Sequence, residues 1–423
     1  MIFLPMDDSR RNYLAFLWHA VFLSITVTFT EVNTVIPAMI LHVGGGEIHV
    51  GIVTAIMIGI PLVAQLNFAG LLHGQRRKKP ALLLGIHLRV LSLALIAVTV
   101  MSVGRLTVLQ ALLVIYGELL LFTLSGAFAG MAYVDLVGKS FHGELRVRFF
   151  TRKQIIASIG ILVSAVTARQ ILAMLEYPAT YGTLFAAAAG ILLVGTLGFW
   201  MIREKPGESG GRRSYLETLR SLPAVLKKDA NLRTYLVFVN LIGFHTALTP
   251  FYVALAAHRY TLNPRVAGNL LFIQIVGMVS ASILWPRVVR AAGFKGIIRI
   301  WSLLGGFLPP LALLTVWALP LPVYLGLFLF TGASISARKV SQEAVIVELS
   351  TEENRILYAG IVGTLNLSIV IFPVVLGGLI RLTGYVPVFL GVSLLSAAAF
   401  FTLRRLVCPI DTKNLPLDGG MPM

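Results

Sequence analysis

Apolar stretches long enough to cross a lipid bilayer follow one another along almost the whole chain, and they constrain its fold more than any other feature. We count twelve such candidate spans in the 423 residues. A helix rises about 1.5 Å per residue, so each span exceeds the roughly 30 Å thickness of the hydrocarbon layer. The spans lie near residues 12–42, 47–73, 80–101, 106–138, 153–175, 178–202, 232–258, 265–291, 296–319, 321–347, 354–382 and 385–407.

The composition agrees with an all-α integral membrane protein and excludes several other classes. Hydrophobic residues make up 57% of the chain and charged residues only 13%, which excludes a water-soluble globule of this size. The single cysteine, Cys408, excludes an internal disulfide and a cysteine-based metal cluster. The sequence contains no zinc-protease, phosphate-loop or nucleophile-elbow motif. We therefore expect no enzymatic activity, no cofactor and no metal.

The distribution of basic residues predicts the topology. In a soluble protein the net charge of +17 would indicate nucleic acid, but here Lys and Arg occupy short segments between spans, so we expect no nucleic-acid partner. Of the 35 basic residues, 29 fall on one side of the threaded chain and 5 on the other, while Arg89 lies within span 3. The positive-inside rule then places both termini in the cytosol, in a multi-pass protein of the cytoplasmic (inner) membrane. The first apolar run is too long for a signal-peptide core, and we interpret it as a retained span.

A polar segment over residues 203–231 divides the chain. We expect an N-terminal six-helix bundle over residues 1–202, a cytosolic linker over 203–231, and a C-terminal six-helix bundle with a short tail over 232–423. From Tyr215 onward, apolar residues recur in the linker at helical spacing with basic residues between them. That pattern predicts a short amphipathic helix that lies on the membrane surface and contacts anionic lipids at the cytosolic face.

The two halves of the chain carry matching sequences. The stretch YGELLLFT, which begins at Tyr116 in span 4, pairs with YLGLFLFT, which begins at Tyr324 in span 10, at an offset of 208 residues. Six spans repeated in parallel about a long central segment predict two bundles related by a pseudo-twofold axis along the membrane normal. A cavity between the bundles is expected to hold the functional site.

Two loops carry a resemblance to a known family. The loop between spans 2 and 3 reads GLLHGQRRKK, from Gly70 to Lys79, and the loop between spans 8 and 9 reads PRVVRAAGFK, with Gly293 and Lys295 in place. With six plus six spans about a long basic segment, these loops resemble the major facilitator superfamily over essentially the whole chain. Gly74 stands where the family's signature has Asp. The resemblance implies the major facilitator fold and a secondary transporter that works by alternating access.

Polar residues inside the spans are the candidates for a substrate or proton site, because each is costly in hydrocarbon unless it is paired or used. Glu31 lies in the outer half of span 1, where two adjacent polar stripes end at Glu31 and Asn33. Glu118 lies near the middle of span 4, and either carboxyl could exchange a proton once per cycle. The other candidates for substrate binding or proton coupling are Asn33, Tyr116, Asn240, His245, Gln274, Arg338, Lys339 and Asn366.

Each of these candidates also has a structural interpretation. Glu31 could pair with another helix, and His245 could be a hydrogen-bonded packing residue. Arg338 and Lys339 could bind an anionic group of the substrate, or they could offset Glu343, which lies one turn along from Lys339. The sequence leaves these alternatives open.

Charged residues near the ends of spans predict a cytosolic gate. Alignment of the two halves matches Asp135 with Glu343 and, after a shift of one residue, matches Arg148 with Arg355. We therefore expect the two ion pairs Asp135–Arg148 and Glu343–Arg355, with ordinary interfacial charge as the alternative. The gate residues are Arg76, Arg77, Asp135, Arg148, Glu343 and Arg355.

The sequence thus predicts a monomeric secondary active transporter that moves a small polar organic solute across the cytoplasmic membrane and is coupled to protons. Two alternatives remain. One is a membrane sensor or scaffold that keeps the fold without transport, because Gly74 replaces the signature Asp and Phe122 stands where a family Arg of span 4 would fall. The other is a lipid-handling carrier.

Overall fold

The computed structural model describes residues 8–73, 75–141, 143–206, 225–350, 358, 361–363 and 365–407. Every regular element in these ranges is a helix, which confirms the all-α fold class. Of the predicted amphipathic helix in the linker, only residues 225–228 are described, and they are helical. The predicted gate residue Arg355 lies outside the described ranges.

The described residues of the first half form eight helices. A π-helical turn over Ala55–Gly59 joins the third to the fourth, and a 3-10 turn over Val103–Arg105 follows the fifth. The helices are α1 Asp8–Phe29, α2 Val35–His42, α3 Glu47–Thr54, α4 Ile60–His73, α5 Lys79–Met101, α6 Val108–Ser140, α7 Gly143–Met174 and α8 Ala179–Met201.

The second half forms seven helices in the described ranges. They are α9 Ala230–Leu248, α10 Phe251–Arg259, α11 Pro264–Ala318, α12 Leu321–Leu349, α13 Leu367–Val370, α14 Phe372–Thr383 and α15 Tyr385–Thr402. Over the described part of the whole chain, ten helical stretches are long and apolar enough to cross a membrane, and α14 is a shorter apolar helix. The protein is therefore a multi-pass membrane protein, while the count of twelve spans stays a prediction.

Gly293 divides the longest helix at the place where the sequence predicts the boundary between spans 8 and 9. Its backbone angles are φ 63° and ψ −174° inside α11. A positive φ is strained for residues with a Cβ and nearly free for glycine, so the chain can turn there between two spans. The loop PRVVRAAGFK therefore contains the turn at which the chain passes from span 8 to span 9.

Span 1 is not one continuous helix, which corrects the prediction of polar stripes that run along it as far as Glu31 and Asn33. Helix α1 ends at Phe29, and α2 begins only at Val35. Pro37 has no N–H to donate, so a helix that continued through this region would lack the bond from Pro37 to the carbonyl of Asn33. Proline is tolerated in the first turn of a helix, and the chain accordingly starts a new helix just before it.

The corresponding span of the second half is divided in the same way. Helix α9 ends at Leu248, and α10 begins at Phe251, with Pro250 at the position that precedes its first turn. The proline shared by the two repeats therefore marks a break in both halves. The two breaks differ in chemistry, because the one in span 1 contains a carboxylate and the one in span 7 does not.

At one end of the molecule the two halves pack backbone against backbone. A Cβ on Gly51 of α3 would overlap the carbonyl oxygen of Pro373 in α14, and a Cβ on Gly377 would lie 2.5 Å from the carbonyl oxygen of Glu47. Only glycine permits so close an approach at these two positions. This end therefore allows no solute-sized gap between α3 and α14.

Side chains reinforce that contact. Tyr385 donates a hydrogen bond of 2.9 Å to Oε1 of Glu47, and Arg169 of α7 donates one of 2.7 Å to Oδ1 of Asn269 in α11. We call the contacts of α3 with α14 and with the start of α15, and those of α7 with the start of α11, the seal. The opposite end of the molecule holds the start of α1, where Asn12 bonds to Ser140 at the end of α6. We call it the terminal end.

Candidate functional site

A cavity of about 310 Å³ lies between the two halves of the chain. Its lining residues come from the end of α1, the break in span 1, the π turn and α4, α5, α6 and α7 of the first half, and from α11 and α12 of the second. They are Val27, Thr28, Thr30, Glu31, Val32, Asn33, Met57, Pro61, Arg89, Phe122, Thr123, Gly126, Ala127, Ile161, Gln274, Ile275, Met278, Ile335, Arg338 and Lys339.

The cavity lies on the terminal side of the seal. In span 2 the lining residue Met57 comes six positions after the seal residue Gly51. In α7 the lining residue Ile161 comes eight positions before Arg169. At about 1.5 Å per residue, the cavity starts roughly 9–12 Å below the seal. The seal therefore closes the cavity toward the end opposite the chain termini.

Glu31 is the carboxylate of the cavity, and its own neighbours hold it in place. Its Oε2 accepts hydrogen bonds from the backbone N–H of Asn33 at 2.7 Å and from the hydroxyl of Thr34 at 3.0 Å. Its Oε1 accepts one from Nδ2 of Asn33 at 2.7 Å. These donors precede the first turn of α2, where a negative charge also interacts favourably with the helix dipole. The side chain that sequence analysis predicts as a substrate or proton ligand thus also holds the non-helical segment that precedes α2.

Arg89 is the residue of this site that sequence analysis misses. It lies in the middle of α5, and its guanidinium carbon is 4.2 Å from the ring centroid of Phe122. A Cβ on Gly126 would come within 3.2 Å of the same guanidinium, so glycine there leaves room for it. The signal was present in the sequence, since Arg89 is the one basic residue that the charge sorting leaves inside a span of the first half. Phe122, which replaces the family's Arg, carries this cation over its ring.

Arg338 and Lys339 bring two further cations to the cavity from α12. Both interact electrostatically with Glu31, although within the described residues no ion pair of 4 Å or less joins them to it. The ammonium of Lys339 lies 3.9 Å from Sδ of Met278. Lys339 is exposed although it lies within a long apolar helix, because it lines the cavity. The structure thus brings the predicted residues Glu31, Arg338 and Lys339 together.

Gln274 completes the polar lining. It is 2% exposed, and its Oε1 is buried without a hydrogen-bond partner in the described part of the chain. A buried amide oxygen without a partner costs about 1–3 kcal/mol, so such groups are usually satisfied by water or a ligand. Gln274 is therefore an available acceptor in the cavity wall.

The other predicted site residues do not line this cavity. In the first half, Tyr116 hydrogen-bonds Nδ1 of His49 at 2.5 Å, and Glu118 accepts a hydrogen bond of 2.7 Å from Thr99. Both contacts lie within the first half of the chain. A role for these two residues in coupling stays a prediction.

In the second half, three more predicted residues also lie outside the cavity lining. His245 is buried and contacts the hydroxyl of Ser334 at 2.9 Å. Asn240 donates to the carbonyl oxygen of Leu365 at 2.9 Å. Asn366 is buried. These contacts are those expected of packing residues, which is the structural alternative that the sequence left open for His245.

The predicted gate is partly described. Asp135 forms ion pairs of 2.7 Å with Lys78 and with Lys139. The side chain of Glu204, which is 3% exposed, accepts hydrogen bonds from the backbone N–H groups of Lys78 and Lys79 and lies 3.6 Å from Lys139. We call Lys78, Asp135, Lys139 and Glu204 the terminal network.

The remaining gate residues add little to this network. Arg76 and Arg77 are exposed in the loop before α5. The side chain of Glu343 lies outside the described part of the structure, as Arg355 does. The pairing of Asp135 with Arg148 stays a prediction, and the described contacts of Asp135 are those with the two lysines.

Solved structures with this fold are transporters. A mutant of the nucleoside transporter NupG matches with a TM-score of 0.69 at 13% identity, over 95% of this chain and 100% of that chain. A POT family transporter in complex with a thioalcohol-conjugated peptide matches with a TM-score of 0.67 at 10% identity, over 94% of this chain and 95% of that one. The human organic anion transporter MFSD10 matches with a TM-score of 0.59 at 17% identity, over 94% of this chain and 100% of that one.

These similarities show the fold of the chain. It is the fold of major facilitator transporters, as the spans and loops predicted. No protein-family model matches the sequence, and no curated protein matches it either.

Proposed function

We propose that this protein is a secondary active transporter that moves a small polar organic solute across the cytoplasmic membrane by alternating access. The observation that carries the proposal is the cavity between the two halves, which has polar and charged walls and ends at a seal of close backbone packing. Membrane proteins place ionisable groups at such depth where a solute or ion passes. The fold similarity to nucleoside, organic anion and peptide transporters agrees with this role.

The arrangement suits one state of a transport cycle. The sequence predicts a cytosolic terminal end, so the cavity would face the cytosol and the seal would exclude the outside. Rocking of one half against the other would open the seal and bring the terminal ends of α4, α6 and α12 together. The contacts of the seal are one arginine–asparagine bond, one tyrosine–glutamate bond and glycine packing, which can separate without breaking an ion pair.

Proton coupling is assigned to Glu31. It is the one carboxylate among the lining residues of the cavity. It also lies within electrostatic range of Arg338 and Lys339, so a change in its charge alters the field at the site. The break between α1 and α2 gives this segment a backbone that can readjust when the carboxyl gains or loses a proton. Glu31 is therefore placed to link protonation to occupancy of the cavity.

Flux measurements in proteoliposomes test the proposal. The wild-type protein, screened over classes of metabolites, should take up at least one polar solute faster when the inside is alkaline. Glu31→Gln keeps the shape and a carbonyl acceptor but cannot titrate, so it should abolish gradient-driven uptake and retain exchange of the same solute. Glu176→Gln removes an exposed carboxylate from the loop before α8 and serves as the matched control.

Other outcomes would assign other functions. Binding of a polar solute without flux would indicate a sensor or scaffold. Flux confined to amphipathic lipids would indicate a lipid carrier. Uptake by Glu31→Gln with wild-type pH dependence would place coupling at another carboxyl, with Glu118 as the next candidate.

A further inference from the structure

We propose that the cavity binds a small organic dianion, a dicarboxylate or a phosphate monoester, whose acidic oxygens bridge Arg89 of the first half and the Arg338–Lys339 pair of the second. The proposal deepens the transporter function and rests on it for its biological meaning. Binding of the dianion to the purified protein can be tested separately from transport.

The first observation is the charge balance of the cavity. Three permanently or normally cationic side chains, Arg89, Arg338 and Lys339, line the same 310 Å³ as a single carboxylate, Glu31. The lining residues therefore have a formal charge of +2. An uncompensated positive charge inside a low-dielectric site is costly, and a ligand with the opposite charge removes that cost. A solute with a charge of −2 would balance the site.

The second observation is that Glu31 is engaged elsewhere. Both of its oxygens accept hydrogen bonds from Asn33 or Thr34, which lie in the same break of span 1. In the described part of the chain, no acidic group lies within 4 Å of the nitrogen atoms of Arg338 or Lys339. The carboxylate of the cavity thus acts on the bases at a distance and leaves their donors available.

The third observation is the way in which Arg89 is presented. The guanidinium carbon lies 4.2 Å from the ring centroid of Phe122, and Nε is buried with no hydrogen-bond partner among the described residues. The N–H donors of a guanidinium form a planar fork that matches the two oxygens of a carboxylate or phosphate. Arg89 is therefore a cationic donor to which the described residues supply no acidic group.

The fourth observation concerns size and placement. The bases come from opposite halves of the chain, α5 and α12, and the lining also includes apolar residues such as Met57, Ile161 and Ile275. A cavity of about 310 Å³ suits a small organic solute.

The shared chemistry admits dicarboxylates and phosphate monoesters, and the experiment separates them. Purified full-length protein is titrated with succinate, with the size-matched monoanion succinamate and with the neutral succinamide. A second series uses glycerol 3-phosphate against glycerol. Binding is followed by thermal unfolding and by calorimetry, without a gradient, so that transport plays no part in the result.

We expect at least one dianion to raise the melting temperature in a saturable manner, while its neutral analogue has no effect. Arg89→Gln and Arg338→Gln should each weaken binding of that dianion by at least about tenfold, since each removes a charge-assisted contact. Arg105→Gln, which removes an exposed base outside the cavity, should bind as the wild type does. Glu31→Gln should bind the dianion at least as tightly as the wild type, because the site then keeps all three bases.

Several outcomes would overturn the proposal. They are saturable binding of the neutral or monoanionic analogues as tight as that of the dianions, the lack of dianion binding in both series, and equal affinity in the wild type and both arginine variants. Failure of the transporter function looks different. In that case the dianion binds and depends on Arg89 and Arg338, yet no flux is measured in proteoliposomes.

Discussion

The central cavity and the terminal network both place charged side chains inside the fold, but they differ in how those charges are paired. In the terminal network, Asp135 lies 2.7 Å from two lysines, and Glu204 accepts from backbone N–H groups and lies near Lys139. In the cavity, three bases share one carboxylate that is bonded to its own neighbours. The first arrangement is complete without a ligand, and the second is completed by one.

The difference indicates which charges hold the fold and which serve the site. The terminal network joins the loop before α5, the end of α6 and the segment after α8, all within the first half of the chain. The charges of the cavity come from both halves, so a ligand that satisfies them also joins the halves. Substitutions in the two regions should therefore have opposite effects on stability.

The largest effect is expected in the terminal network. Asp135→Asn removes the counter-charge of Lys78, whose side chain is 12% exposed, and of Lys139. A hydrogen bond to a charged group contributes about 1.5–3 kcal/mol, so the free energy of unfolding should fall by about that amount. Thermal unfolding of the purified protein measures the loss, and the affinity for a cavity ligand should stay unchanged.

Asp8→Asn is the matched control for this variant. Asp8 pairs with Arg203 at 3.0 Å, but both side chains are well exposed, at 42% and 61%. An exposed pair contributes about 0–1 kcal/mol, so the loss should be much smaller. If the two variants lost the same stability, the terminal network would be ordinary surface charge, and the comparison with the cavity would fail.

A smaller effect of the opposite sign is expected in the cavity. Arg338→Gln relieves repulsion among three bases in the protein without ligand, and such site substitutions often stabilise by about 0.5–2 kcal/mol. The melting temperature of the unliganded protein should therefore rise, while the stabilisation by added dianion falls. Arg105→Gln, outside the cavity, should change neither quantity. A lower melting temperature for Arg338→Gln without ligand would show that Arg338 has a structural partner.

Sequence reasoning reached the membrane class, the fold and part of the site because all three rest on strong local signals. A charged residue within an apolar span is conspicuous, and Glu31, Arg338 and Lys339 were found in that way. Arg89 is equally conspicuous inside span 3, but the charge sorting alone assigns it no role. The break at Thr30–Thr34 was missed because its polar residues also fit a helical stripe, and only the backbone shows that they lie between two helices.

Pairing partners were the least predictable part. The repeat suggests that Asp135 pairs with Arg148, and this pairing stays a prediction. The structure places Asp135 2.7 Å from both Lys78 and Lys139. Lys139 is one helical turn from Asp135 and could have been inferred from spacing. Lys78 is 57 positions away and reaches Asp135 through the packing of α5 on α6, which no local pattern in the sequence encodes. Contacts of this kind depend on the tertiary arrangement of the helices.

The smallest effect on stability is expected at Asp229. Its carboxylate differs from those of the terminal network because its hydrogen-bond donors are uncharged. It caps α9, with Oδ1 accepting from the backbone N–H groups of Asn231 and Leu232, and Oδ2 accepting from the hydroxyl of Tyr358 at 2.6 Å. Partial burial opposes ionisation, but these hydrogen bonds outweigh it and lower the pKa of Asp229 below its usual value.

A lowered pKa in the folded state fixes the sign of the pH effect. The unfolded chain binds the proton more readily, so the contribution of Asp229 is fully present above the unfolded pKa, near 3.9, and is lost as the pH falls through the folded value. Asp229→Asn keeps the capping geometry, because Asn caps helices about as well as Asp, but removes the titration. The loss of melting temperature between pH 5 and pH 3 should therefore be slightly smaller in Asp229→Asn than in the wild type. Identical acid profiles would mean that the carboxylate of Asp229 stabilises the fold no more than a neutral cap does. Charged side chains would then contribute to the stability of this protein only where an opposite charge or a ligand pairs with them.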